Sequence, residues 1–136
     1  MLKLRGKRIF IVEDNVTNLA VFATTLRQQG ASVIQDAWNV GTVSILEQQL
    51  PIDLILLDIN LRRGISGYDV FDEIKANPKL AEIPVVAVTS LDPETEIPKA
   101  QAKGFSGFIS KPISGLNFPH QIASVIAGEP VWIISR

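Results

Sequence analysis

Apolar residues along this chain follow two rhythms that alternate from end to end. Short unbroken runs, "RIFIV" (8–12), "DLILLD" (53–58) and "IPVVAVTS" (83–90), are too short for helices and rich in branched side chains, and read as strands. "ASVIQD" (31–36) and "GFIS" (107–110) are shorter strands of the same kind. Between them the spacing changes to that of helices. Val16, Leu19, Ala20, Ala23 and Leu26 share one helical face, with Gly30 as a stop. Val40, Val43, Leu46 and Leu50 mark a second helix closed by Pro51, and Tyr68, Phe71 and Ile74 a third that ends near Asn77, before Pro78. A fourth, over 94–103, contains Pro98 and is expected to be short, late-starting or irregular. Phe118, Ile122, Val125 and Ile126 define the last, with Gly128 after it. The tail "EPVWIISR" reads as a short strand or an extended segment packed on the body.

Five strand–helix units in series imply a doubly wound parallel sheet, α/β in class, with helices on both faces. The first, third and fourth strands are apolar without alternation, as buried central strands are. With 136 residues and no internal repeat or linker, the chain is one domain. The boundaries expected are 1–128 for the domain and 129–136 for a C-terminal tail.

Composition narrows the function by exclusion. A formal net charge of −1 gives no general attraction to nucleic acid or anionic membrane. The absence of cysteine removes disulfides, thiolate nucleophiles and Cys-ligated zinc. No apolar run reaches the roughly 18 residues of a membrane helix, and "MLKLRGKRIF" lacks the features of a signal peptide. A cytoplasmic protein is expected.

In a doubly wound sheet, chemistry gathers at the carboxyl ends of the strands, where the strand order reverses. The residues there are Glu13 and Asp14 after the first strand, Asp58 after the third, Thr89 and Ser90 at the fourth, and Lys111 after the fifth. In the order 2-1-3-4-5 the first and third strands are neighbours, so three carboxylates converge. They would raise one another's pKa unless a cation lay among them. Their hard oxygens suit Mg2+ or Mn2+, and a hydroxyl and an ammonium beside them suit phosphoryl oxygens. Taken singly, Asp14 reads as a helix cap, Glu13 as a solvated loop residue, Thr89 as a strand-end hydroxyl and Lys111 as a surface lysine. Their placement on four strand ends points to a phosphoryl group carried on Asp58.

Four motifs, "IVEDN" (11–15), "LILLDINL" (54–61), "VVAVTS" (85–90) and "FISKPI" (108–113), resemble the receiver domain of two-component response regulators, a CheY-like, flavodoxin-like fold. The intervals of 44 residues from Asp14 to Asp58 and 22 from Thr89 to Lys111 agree with that family. The resemblance implies Asp58 as phosphoacceptor, and Glu13, Asp14, Asp58 and the backbone carbonyl of Asn60 as ligands of Mg2+. It implies Thr89 and Lys111 as partners of the phosphoryl group, and Phe108 as an aromatic switch residue that moves with Thr89. The phosphodonor would be a sensor histidine kinase or a phosphotransfer protein. The output would be phosphorylation-dependent partner binding or phosphorelay, with a homodimer through the fourth helix, fifth strand and last helix as a further option. Such a module is not itself an enzyme in the usual sense. No output domain follows the last helix, so the chain reads as a stand-alone receiver. The alternative is a receiver fold acting as a phosphorylation-independent interaction module.

Other aspartyl-phosphate and flavin-binding folds fit less well. A haloacid-dehalogenase phosphatase needs an acid where Asn60 stands, and "EDN" would repel a flavin phosphate. Departures from the receiver pattern lie mainly near the site. The loop "NLRRGISGYD" lacks the usual Pro and places Thr89 31 residues after Asp58, one more than is usual. It adds Arg62 and Arg63, read here as solvated charges. Leu91, two residues after Thr89, cannot orient a water, which predicts a phosphorylated form that is not especially short-lived. His120 is read as a surface residue on the last helix, and Val131, Trp132, Ile133 and Ile134 as packing against the body or a second subunit.

Overall fold

A computed structural model describes residues 2–36, 41–61 and 64–134. Val40, Arg62 and Arg63 therefore lie outside the described residues. The elements follow one another as β1 (Arg8–Val12), α1 (Val16–Gln28), β2 (Ser32–Asp36), α2 (Thr42–Gln48), β3 (Leu54–Leu57) and α3 (Gly67–Ala76). Then come β4 (Val85–Thr89), α4 (Pro93–Lys103), β5 (Gly107–Ser110), α5 (Phe118–Ile126) and β6 (Val131–Ile133). All strand pairs are parallel, and the sheet order is β2-β1-β3-β4-β5-β6. The expected order holds, with one strand more than the five expected: the apolar tail pairs along β5.

The unbroken apolar strands follow from cover on both faces. Along β3, Leu54 and Leu56 pack toward α1 and α5 with Leu19, Phe22, Leu26, Phe118 and Ile122. Ile55 and Leu57 point the other way, toward Leu46, Phe71, Ile74 and Phe108 beneath α2, α3 and α4. Successive side chains of a strand face opposite ways, so a strand covered twice must be apolar at every position.

Four local expectations are revised. In α1 the buried face is Leu19, Phe22, Ala23 and Leu26, while Val16 is 73% exposed. The stripe begins one turn later than the spacing from Val16 suggested, because Val16 stands at the solvated rim of the sheet's carboxyl edge. In α2 the helix ends before Leu50, which is exposed. The residue before a proline is sterically driven out of helical backbone, and Pro51 follows. Helix α4 is neither short nor late. It begins at Pro93, where a first-turn proline costs no hydrogen bond, and runs through Pro98. Pro98 is on the solvent side, so the fault is one missing donor to the Glu94 carbonyl, which water can reach. The cap of α1 is Asn15, whose side chain accepts from Asn18 N at 2.9 Å, and not Asp14.

Candidate phosphoryl-acceptor site

The chain's reversal lies between β1 and β3, and both strands end there in acids. Val12 and Leu57 are register partners, so the residues that follow them are neighbours. Asp58 N donates to Val12 O at 3.0 Å, which fixes the end of β3 against β1. Glu13 N donates to Asp36 O at 3.1 Å, fixing the other side of β1 to β2. Carboxylate oxygens of Glu13, Asp14 and Asp58 all lie within 4.8 Å of one another. Glu13 is 1% exposed and Asp58 6%, whereas Asp14 is half-buried at the rim.

Lys111 comes from the far side of the sheet. Its backbone N donates to Thr89 O at 2.9 Å, continuing the β4–β5 ladder one residue beyond β5. Its Nζ donates to Glu13 Oε1 at 2.6 Å and to Asp58 Oδ2 at 3.1 Å, and lies 5.8 Å from the centroid of the Phe22 ring. One ammonium thus bridges two buried carboxylates. Burial, reinforced by the neighbouring Asp58 and only partly offset by Lys111, pushes the Glu13 carboxyl up to about 7. Burial by itself would lower the Lys111 pKa, but the hydrogen bond to Glu13 and the charges of Asp58 and Glu13 outweigh it. The ammonium is held above its ordinary value.

Of the remaining groups, Asn60 sits on the loop after β3 and the others on strands or a helix. Asn60 N donates to Asp58 Oδ1 at 3.0 Å, so one carboxylate oxygen faces the loop amide and the other faces Lys111. Thr89 is fully buried at the end of β4, and its hydroxyl accepts from Leu91 N at 3.2 Å. Phe108 is not at the site. It is fully buried within β5, between its register partners Ala87 and Trp132. His120 is exposed on α5.

Two positions escaped the sequence reading. Gly67 opens α3 directly against the site: a Cβ there would stand 2.3 Å from the carbonyl oxygen of Asp58. The sequence held a hint in "SG" just before a helical stripe, where the cap Ser66 is followed by a residue with no side chain. Glu96 is buried on α4 and accepts from Tyr68 OH at 2.9 Å, a contact across 28 residues that no local pattern announces.

Chemically, the arrangement offers a carboxylate nucleophile at the open end of a rigid strand, two further carboxylates beside it, and a neighbouring ammonium and hydroxyl. All three acids present hard oxygen donors, as a site for Mg2+ requires.

Comparison with known proteins points the same way. The family model described as the response regulator receiver domain matches residues 9–123. The polar-differentiation response regulator DivK of Brucella ovis is 32% identical over 120 residues, 88% of this chain and 96% of that protein. Among solved structures, a response regulator from Desulfuromonas acetoxidans superposes with a TM-score of 0.79 at 27% identity, covering 89% of this chain and 97% of the other. A sensor protein from Polaromonas sp. JS666 has a TM-score of 0.81 at 18% identity over 90% of this chain and 98% of its own, a likeness of fold alone.

Proposed function

Because the chain belongs to the receiver domains of response regulators, we propose that it accepts a phosphoryl group onto Asp58 from a phosphohistidine of a sensor kinase or phosphotransfer protein. The observation that carries this reading is the meeting of Glu13, Asp14 and Asp58 at one strand-end crevice with Lys111 bridging two of them. A carboxylate of Asp58 attacks phosphorus in line. The phosphorus–nitrogen bond breaks, and its electron pair leaves on the imidazole, which takes up a proton. Glu13, Asp14, Asp58 and the Asn60 carbonyl would hold Mg2+, which when bound neutralises phosphoryl charge. Lys111, already on Asp58, stays to pair with the product, and the Thr89 hydroxyl exchanges its bond from Leu91 N for a phosphoryl oxygen.

The response follows from that exchange. Thr89 and the start of α4 are separated by three residues, so a shift at Thr89 moves the α4 approach, and Phe108, buried on the neighbouring strand opposite Ala87, is the aromatic that adjusts. A partner protein reads the altered surface, or the phosphoryl group is passed on. A homodimer on this side would be built from α4, β6 and α5, since β6 makes β5 an internal strand.

The test is the intact mass after incubation with acetyl phosphate, with and without Mg2+, beside Asp58→Asn. The expected result is a Mg2+-dependent gain of one phosphoryl group that the variant lacks. No gain under conditions that label a control receiver would favour a module that binds partners without phosphorylation. Among the described residues, no helix is long and apolar enough to cross a membrane.

A further inference from the structure

Helix α4 is tied to α3 by polar contacts of unequal kind. On the surface, Lys103 Nζ lies 2.8 Å from Asp72 Oδ1, a solvated ion pair of little weight. Further in, the Glu96 side chain is only 10% exposed. A carboxylate taken out of water on an outer helix is costly unless it is hydrogen-bonded. Here Tyr68 OH donates to Glu96 Oε1 at 2.9 Å, and Lys99 Nζ lies 3.5 Å from Oε2. The Tyr68 ring is held edge-on against Phe105, centroids 5.9 Å apart at 90°, so its hydroxyl has a fixed direction. Burial, with Glu96 adjacent, raises the Tyr68 pKa well above its ordinary value, and the phenol remains a donor throughout the physiological range.

This contact stands next to the proposed moving part. Tyr68, Glu96 and Leu91 line a cleft of about 240 Å³ that also includes Asn60, two residues past Asp58. Leu91 N is the group that now engages the Thr89 hydroxyl, and Asp92, the next residue, caps α4 through Glu94 N at 3.2 Å. One further turn along the helix is Glu96. Thr89, the loop 90–92 and the first turns of α4 thus form a single run of chain, anchored at one end by β4 and at the other by Tyr68.

We propose that the Tyr68–Glu96 hydrogen bond is a latch that holds α4 in its unphosphorylated position and opens when Thr89 turns to the phosphoryl group. Both are positioning residues, and the inference rests on Asp58 being the phosphoacceptor. If the phosphoryl group weakens the latch, weakening the latch must strengthen binding of a phosphoryl mimic by the same factor. The equilibrium probe is beryllofluoride with Mg2+, which mimics an aspartyl phosphate, titrated by fluorine NMR.

Tyr68→Phe keeps the ring and removes the donor, and should bind the mimic roughly three- to tenfold more tightly, the worth of one net hydrogen bond. Its amides over 93–103 should exchange faster in the unliganded state. Glu96→Ala should match it, the double variant should go no further than either single change, and Glu96→Gln, still an acceptor, should stay near wild type. A merely structural contact would instead leave the affinity untouched or give additive effects. Equal affinity in wild type and Tyr68→Phe, with both folded by circular dichroism, overturns the latch alone. Should Glu96→Ala not fold, Tyr68→Phe against Glu96→Gln decides by the same measure. If wild type neither binds the mimic nor gains phosphoryl mass, the phosphoacceptor reading falls and the latch with it.

Discussion

Lys111 and Glu13 meet through Nζ and Oε1 at 2.6 Å although 98 residues separate them, with the ammonium only 13% exposed and the carboxylate 1%. The pair closes the sheet's open end from opposite sides, β5 on one and β1 on the other. Asp58 shares the same ammonium, so two buried negative charges depend on one positive one whenever no metal is bound.

That shortage of positive charge gives a pH signature. The Glu13 pKa of about 7 in the folded protein exceeds the ordinary 4.5. Between those values the folded protein keeps a proton that the unfolded chain has released. This contribution to stability is complete below the ordinary value and is lost as pH rises through about 7. In EDTA, Glu13 should cost on the order of 2–3 kcal/mol of unfolding free energy between about pH 5 and pH 8. Glu13→Gln should flatten that part of the profile. Urea denaturation at several pH values decides it, and parallel profiles for the two proteins would refute it.

Magnesium should reverse the trend. A cation among the carboxylates binds them ionised, so a proton on Glu13 competes with it. The rise in Tm on adding about 10 mM Mg2+ should be several degrees near pH 8 and should shrink toward pH 6. Asp14→Asn and Glu13→Gln should each lose most of it. An equal rise in wild type and both variants would show that Mg2+ acts elsewhere.

Gly67→Ala tests the close approach of α3. The added methyl would meet the backbone of Asp58 and Ile59, at 2.3 Å and 2.6 Å, rather than a side chain that could swing aside. A loss of about 2–4 kcal/mol is expected, in the range of overpacking with backbone displacement. Phosphoryl acceptance on Asp58, as proposed, should slow in parallel, because the atoms pushed are that residue's own backbone. Unchanged stability and labelling rate would mean that the loop yields freely.

The sixth strand should contribute measurably to stability. Trp132 packs on the core face that includes Phe108, and Val131 and Ile133 pack on the other. Trp132→Ala should lower unfolding free energy by about 2 kcal/mol, as expected for a large, partly buried aromatic. A midpoint in urea equal to wild type would place the tail off the sheet in solution.

Much of this architecture was legible in the sequence because doubly covered strands leave no polar positions. "LILL" at 54–57 could hardly sit anywhere but the middle of a parallel sheet, and its neighbours follow from it. The meeting of Glu13, Asp14, Asp58 and Lys111 followed from sheet order, since each stands one or two residues beyond a strand. What could not be read depended on particular side chains meeting across the fold. Periodicity could not tell Val16 from Leu19 as the start of the α1 face, because the choice depends on how far the helix overhangs the sheet. Pro98 argued for a broken α4, yet a single lost donor on the solvent side is tolerated. Tyr68 and Glu96 belong to different helices, and nothing short of their packing brings them together.

The direction of β6 has a practical consequence. Strands of a parallel sheet all point the same way, so without β6 the chain would leave α5 at the pole where the strands begin. By running alongside β5, opposite Gly107 to Ile109, residues 131–133 carry it back toward the other pole. Ile133 and Ile134 then border Ser110, Pro112 and Ile113, at the pole that bears Asp58. A fluorophore, affinity tag or fused protein joined beyond Ile134 starts from the pole that bears Asp58, where the proposed phosphodonor would dock, whereas one joined before Leu2 hangs from the opposite pole. Reporters of docking belong at the first position, and handles meant to leave docking undisturbed belong at the second.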